Sequence, residues 1–224
     1  MRRTFLKTAG WSLAYLGLSM ACLVRWTSPH PWSRVDWFAG TYFALRFFSS
    51  SHSVISSLNA FRSKILRQEW WAMDSDPRGP QWVMILMALD LLVFLDYGHG
   101  RLTLPLSRPT LQTAGIILYF GVTFWQIWTD SYLARYFGHN GHSLTPMNSG
   151  PYRYVRHPRY AAAIVGKVAM ALTFASIFGW VLVLAWGMLL LNKISIEENH
   201  LRKAFGTEYE AYTRITAKVL PGIY

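Results

Sequence analysis

Residues 150–160 read Gly-Pro-Tyr-Arg-Tyr-Val-Arg-His-Pro-Arg-Tyr and lie between two long apolar segments. This short stretch holds three tyrosines, one histidine, three arginines and two prolines. Ionisable rings and guanidinium groups crowded in this way do not suit a lipid-facing helix. They point to a polar site at or just below a membrane surface. Composition alone leaves a second reading open, because Arg, Tyr and His also anchor the span that follows them. Pro151 and Pro158 disfavour helix at the residues before them, and Pro158 suits the first turn of a helix starting there.

The flanks decide the class. The 224 residues are 52% hydrophobic and 15% charged, whereas soluble domains carry about 25% charged residues. The pattern predicts an all-α polytopic integral membrane protein with about five or six transmembrane helices, a C-terminal helical hairpin and a polar tail. The expected spans are 9–26, 36–60, 82–97, 111–134, 158–178 and 180–196. Gly179 leaves almost no loop in the last pair, which predicts a tight hairpin. The second span is the least clean. Arg46 interrupts it, and Ser49 to Ser53, with His52 among them, makes its second half polar, so that half must face protein or the interface. The helices of 1–137 and the region 138–224 are expected to form one integrated domain.

Net charge is +11, but the basic residues are not gathered on one soluble domain. Membrane lipid and orientation account for them better than nucleic acid. With the N-terminus inside, the cytoplasmic face holds Arg2, Arg3 and Lys7, then Arg62, Lys64, Arg67 and Arg78. It also holds Arg135, Arg153, Arg156 and Arg159, then Lys193, Arg202, Lys203, Arg214 and Lys218. The opposite face holds Arg25, Arg34, Arg101 and Arg108. This asymmetry predicts six spans with both termini and the 150–160 stretch in the cytoplasm; the expected location is a bacterial inner membrane. The start, Met1-Arg2-Arg3-Thr4-Phe5-Leu6-Lys7, also looks like a twin-arginine export signal, but the chain stays apolar beyond it, which favours a first span. Cys22, the single cysteine, allows no internal disulfide. His139, His142, His157 and His200 lack acidic or cysteine companions at suitable spacing, so no metal site is expected. Arg46 and Asp90 fall within spans and are expected to pair. Asp96 and Lys167 are further charges at or within the membrane.

The last span leaves the membrane as Lys193-Ile194-Ser195-Ile196-Glu197-Glu198-Asn199-His200-Leu201, followed by Phe205-Gly206-Thr207-Glu208-Tyr209 and Tyr212. Lys193 and Glu197 share a helix face, as do Glu198 and Arg202. A solvated ion pair is the expected reading of Glu198 and Arg202. Glu197 sits at the membrane boundary, near the Arg/His/Tyr stretch. Together, GPYRYVRHPRY, the hairpin, EENHL and FGTEYEAY resemble the C-terminal region of the isoprenylcysteine carboxyl methyltransferase family. Phospholipid N-methyltransferases and bacterial thiol methyltransferases are similar there. The resemblance covers about residues 140–221.

That resemblance implies S-adenosyl-L-methionine as cofactor, held without a Rossmann domain. Tyr152, His157, Pro158, Arg159 and Tyr160 would line its pocket, with Glu197 at its polar end. His142, Leu144 and Thr145 correspond to the segment before the GPY turn. Lys193 stands where the family usually has Arg, and Ala162 where it favours Gly. Lys193 and Arg156 are the candidate catalytic residues: Lys193 beside the acceptor, Arg156 or Arg159 on the cofactor's carboxylate. The implied partners are membrane lipid and a lipophilic or lipidated acceptor, foremost a prenylcysteine carboxylate, with a thiol or a phospholipid amine as alternatives. An NADPH-dependent membrane reductase and a non-enzymatic membrane protein are the rival classes.

Overall fold

A computed structural model describes residues 37–61, 79–99, 108–139 and 146–221, together with Gly17. The expected first span, 9–26, lies outside these residues apart from Gly17, and so does the loop 27–35. Every regular element described is helical: α1 (Trp37–Phe61), α2 (Gly79–His99), α3 (Arg108–His139), α4 (Pro158–Phe174) and α5 (Ile177–Ile215). A 3₁₀ turn, Gly150–Arg153, precedes α4. Extended pairing among the described residues is one isolated bridge, Val155 to Ala217. The all-α expectation therefore holds. By length and apolar composition, one described helix, α5, meets the requirement for crossing a membrane.

The helices alternate in direction, as their end contacts show. At one end Ser176 Oγ donates to Asp96 Oδ2 at 2.5 Å, and Gln112 Nε2 donates to Tyr97 Oη at 2.8 Å. At the other, Ser49 Oγ meets Gln126 Oε1 at 2.9 Å, and His52 Nε2 meets Ser131 Oγ at 3.2 Å. Ser49 and His52, in the polar stretch of α1, thus face protein, against α3. Between the ends lies an aromatic core. Phe174 of α4 meets Tyr42, Phe94 and Tyr97 edge-on, with ring centroids 5.0–5.1 Å apart, a favoured quadrupole arrangement. Met170, Val93 and Leu182 close this core.

The hairpin forms, but four residues earlier than Gly179 suggests. Ala175 takes φ 46°, ψ 34° and ends α4, although it has the Cβ that normally disfavours this left-handed region. Gly179 lies inside α5. A Cβ there would sit 2.7 Å from Ala171 Cα, so the glycine serves close packing of α5 on α4. The tail is no separate element, since α5 runs on through it for 39 residues in all. Gly206, at φ 53°, ψ −125°, kinks it.

Gly115 brings α3 against α4. A Cβ there would lie 2.5 Å from the Thr173 backbone nitrogen and 2.8 Å from the Ala169 carbonyl oxygen. Because the obstacle is backbone, Gly115→Ala should force the helices apart and cost about 1–3 kcal/mol. Thermal unfolding in detergent checks this, and an unchanged midpoint would refute the tight crossing.

Candidate active site

The 150–160 stretch crosses one end of the bundle. Gly150 turns at φ 60°, where a Cβ would strike the Tyr132 ring. The chain then makes the 3₁₀ turn through Tyr152, and Pro158 starts α4 with His157 at its N-cap. Trp125 Nε1 donates to the Pro158 carbonyl at 3.1 Å, tying this entry to α3. From the other side comes the chain beyond α5. The backbone amides of Arg156 and His157 donate to the carbonyls of Ala217 (2.8 Å) and Lys218 (3.1 Å). Val219 packs with Ala161 and Ile194 beneath.

Two adjacent glutamates on α5 divide the work. Glu198, 3% exposed, is a hub. It accepts from Arg156 Nε at 3.0 Å and lies 3.3 Å from His157 Nε2, with Arg202 (3.7 Å) and Lys218 (3.8 Å) farther out. This corrects the expectation of a solvated Glu198–Arg202 pair, since the carboxylate is buried and Arg202 lies farther from it than Arg156 and His157. Burial alone would raise the Glu198 carboxyl, but bonds from His157 and Arg156 and the charges of Arg156 and Lys218 hold it down to about 2. Glu197 accepts from Tyr160 Oη at 2.7 Å and lies 3.4 Å from His157 Nδ1. His157 thus bridges both carboxylates and stacks on Tyr160 at 5.6 Å. Burial opposes its charge, yet bonds to Glu197 and Glu198 raise its pKa above the ordinary value. An imidazolium, with two N–H donors, fits that bridge.

The expected residues therefore separate. Tyr152, His157, Pro158, Arg159, Tyr160 and Glu197 come together. Arg156 faces inward: its Nη1 also donates to the carbonyls of Thr213 and Thr216, which makes it a clamp on the end of α5. Lys193 is exposed on α5, one turn before Glu197. His142, Leu144 and Thr145 lie outside the described residues. Sequence reasoning missed Asp130 of α3, which accepts from Arg159 Nε through Oδ1 at 3.2 Å. It also missed Tyr212, whose Oη donates to the Tyr152 carbonyl at 2.6 Å. The phenol of Tyr152 itself is pushed up, first by burial, with Arg159 opposing and Asp130 and Glu197 adding to the rise. Asp130 gave no signal of its own, because it follows the run Phe124-Trp125-Gln126-Ile127-Trp128-Thr129 inside the expected span 111–134, with no charged residue beside it in sequence. Among the described residues, no group of three or more His, Cys, Asp or Glu is placed to hold a metal.

This helical hairpin, with its His–Glu–Tyr junction, falls in a segment, residues 110–208, that matches the phospholipid methyltransferase family. A relative is the cobalt-zinc-cadmium resistance protein CzcN of Cupriavidus metallidurans, 30% identical over 132 residues, or 58% of each chain. The chain thus spans little more than half of that protein's length. The membrane methyltransferase resemblance read from the C-terminal motifs is borne out. The matched segment also begins earlier than those motifs, taking in α3 with Trp125 and Asp130.

Proposed function

We propose that the protein transfers a methyl group from S-adenosyl-L-methionine to a lipophilic acceptor at a membrane. The observation that carries this is the junction of His157, Tyr160 and Glu197, formed by two distant motifs within the family-matched segment. The residues suit the cofactor chemically. Glu197 offers a carboxylate for an ammonium, Arg159 a partly exposed guanidinium for a carboxylate, and the Tyr160 and Tyr152 rings offer faces for an adenine. When bound, the cofactor supplies an electrophilic methyl on sulfur, open to in-line displacement. Positioning is then the protein's main task. Tyr160 and His157 perform it by fixing the Glu197 rotamer from two sides. Arg156 and Glu198 lock the loop beneath.

The membrane setting is part of the proposal. Phe47, Phe48, Ile117, Phe120, Phe124, Leu184 and Met188 are exposed on the outside of the bundle, while Asp90 and Asp96 are buried inside. That inverted distribution suits hydrocarbon around α1 to α5, with the junction at one face. By the charge asymmetry of the loops, that face is cytoplasmic. The phospholipid methyltransferase match supports a lipid acceptor, and the prenylcysteine carboxylate remains a candidate of that kind.

The test is calorimetric binding of S-adenosyl-L-methionine to the detergent-purified chain. Glu197→Gln should weaken it about 10- to 100-fold, the worth of one charge-assisted hydrogen bond. Absence of binding by folded wild-type protein would end this reading.

A further inference from the structure

Asp130 has a carboxylate oxygen with no hydrogen-bond partner among the described residues. The residue is 4% exposed. Oδ1 is taken by Arg159, but Oδ2 is buried and accepts no hydrogen bond among the described residues. A buried polar atom left in that state costs about 1–3 kcal/mol, so it calls for a reason. The surroundings supply one. Arg159 belongs to the 150–160 stretch, and the charges of Arg159, Asp130 and Glu197 all reach the Tyr152 hydroxyl. The next residue, Ser131, meets His52 Nε2 of α1, whose own Nδ1 is likewise buried without a partner. Two buried polar atoms, one on α1 and one on α3, thus have no hydrogen-bond partner among the described residues.

A carboxylate oxygen can only accept, so its complement is a hydrogen donor. A protonated nitrogen is the strongest such donor, because the bond is then charge-assisted. We propose that Asp130 binds a protonated nitrogen of a small-molecule ligand through Oδ2, with Arg159 holding the carboxylate in place. The identity of the ligand rests on the methyltransferase reading, which provides two sources: the ammonium of the methyl donor, or an amine on the lipophilic acceptor. Asp130 is thus a second carboxylate of the site, on α3, bound to Arg159 of the same stretch whose Tyr160 and His157 meet Glu197.

The experiment uses the full chain in detergent, as wild type and Asp130→Asn. The substitution keeps an oxygen for Arg159 and removes the charge. S-adenosyl-L-methionine binding is measured by calorimetry. Binding of dodecylamine, and of dodecanoate as the anionic control, is measured by thermal shift. At least a tenfold loss for S-adenosyl-L-methionine assigns the nitrogen to the methyl donor. The same loss confined to dodecylamine assigns it to the acceptor. Dodecanoate should be unaffected in either case. Wild-type binding of both cations by Asp130→Asn overturns the proposal and leaves Asp130 as a support for Arg159. Wild-type protein that binds dodecylamine in an Asp130-dependent way but not S-adenosyl-L-methionine sinks the methyltransferase reading and keeps this assignment. Failure of wild type to bind either sinks both. Should Asp130→Asn not fold, Asp130→Glu keeps the charge, moves the oxygens by a methylene, and is judged by the same losses.

Discussion

Replacing Asp90 with alanine should lower the melting temperature of the detergent-solubilised protein by roughly 6–20 °C. Asp90 lies between two cations from different helices. Lys167 Nζ sits 2.5 and 2.8 Å from its two oxygens, and Arg46 Nη2 lies 3.3 Å from Oδ2. The expected Arg46–Asp90 pairing is thus present, and Lys167 joins it, with its ammonium 5.2 Å from the centre of the Trp186 ring. Removing the shared carboxylate leaves two positive groups inside the bundle. Uncompensated buried charge costs about 3–5 kcal/mol, and each kcal/mol shifts the midpoint about 2–4 °C in a chain of this size. Lys167→Met should cost less, because Asp90 then keeps Arg46. Equal midpoints for Asp90→Ala and Lys167→Met would show that the carboxylate is not the centre of the cluster.

Glu198→Ala should be comparably severe, and its effect should concentrate at one end of the molecule. Two buried groups, Arg156 and His157, lose their common acceptor. The strand-like contact of Arg156 and His157 with Ala217 and Lys218 then loses its support. The same joint should respond to pH. Glu198 ordinarily titrates at 4.5 and is held down to about 2. Its contribution is complete above 4.5 and fades as pH falls toward 2. His157, raised from 6.5, contributes fully below that value, and its share is lost as pH rises through the raised one. The joint is therefore firmest between about pH 4.5 and 6.5 and slackens on the alkaline side. Hydrogen exchange at the Arg156 and His157 amides, corrected for intrinsic rate, should show less protection at pH 9 than at pH 6. Equal protection would exclude His157 as the group responsible.

Much of this was legible before any coordinates. Apolar runs placed α1, α2 and α3 to within a few residues, and the serines and His52 of α1 correctly implied a protein-facing side. The hairpin turn was misplaced because Ala175 adopts a conformation normally left to glycine, while the glycine nearby, Gly179, is needed for close packing. The role of Glu198 could not be read from local spacing. Its i+4 neighbour Arg202 is the obvious partner on a helical wheel, whereas its strongest contact, Arg156, is 42 residues away. Lys167 and Asp90 are 77 residues apart, so only the helix packing brings them together. Asp130 was hidden for the same reason: it falls inside the expected span 111–134, and its partner, Arg159, belongs to a separate segment.

The contact between Arg156 and the chain after α5 also bears on how the protein is made. Arg156 closes onto the carbonyl of Thr216, which is synthesised 60 residues later. During translation the four helices α1 to α4 can emerge and pack while the loop before α4 still lacks its clasp. Assembly is therefore ordered, with the helical scaffold first and the joint around Arg156 and Glu198 last. A chain that ends within α5 before Thr216 would hold the α1–α4 packing without the clasp on the Arg156 loop.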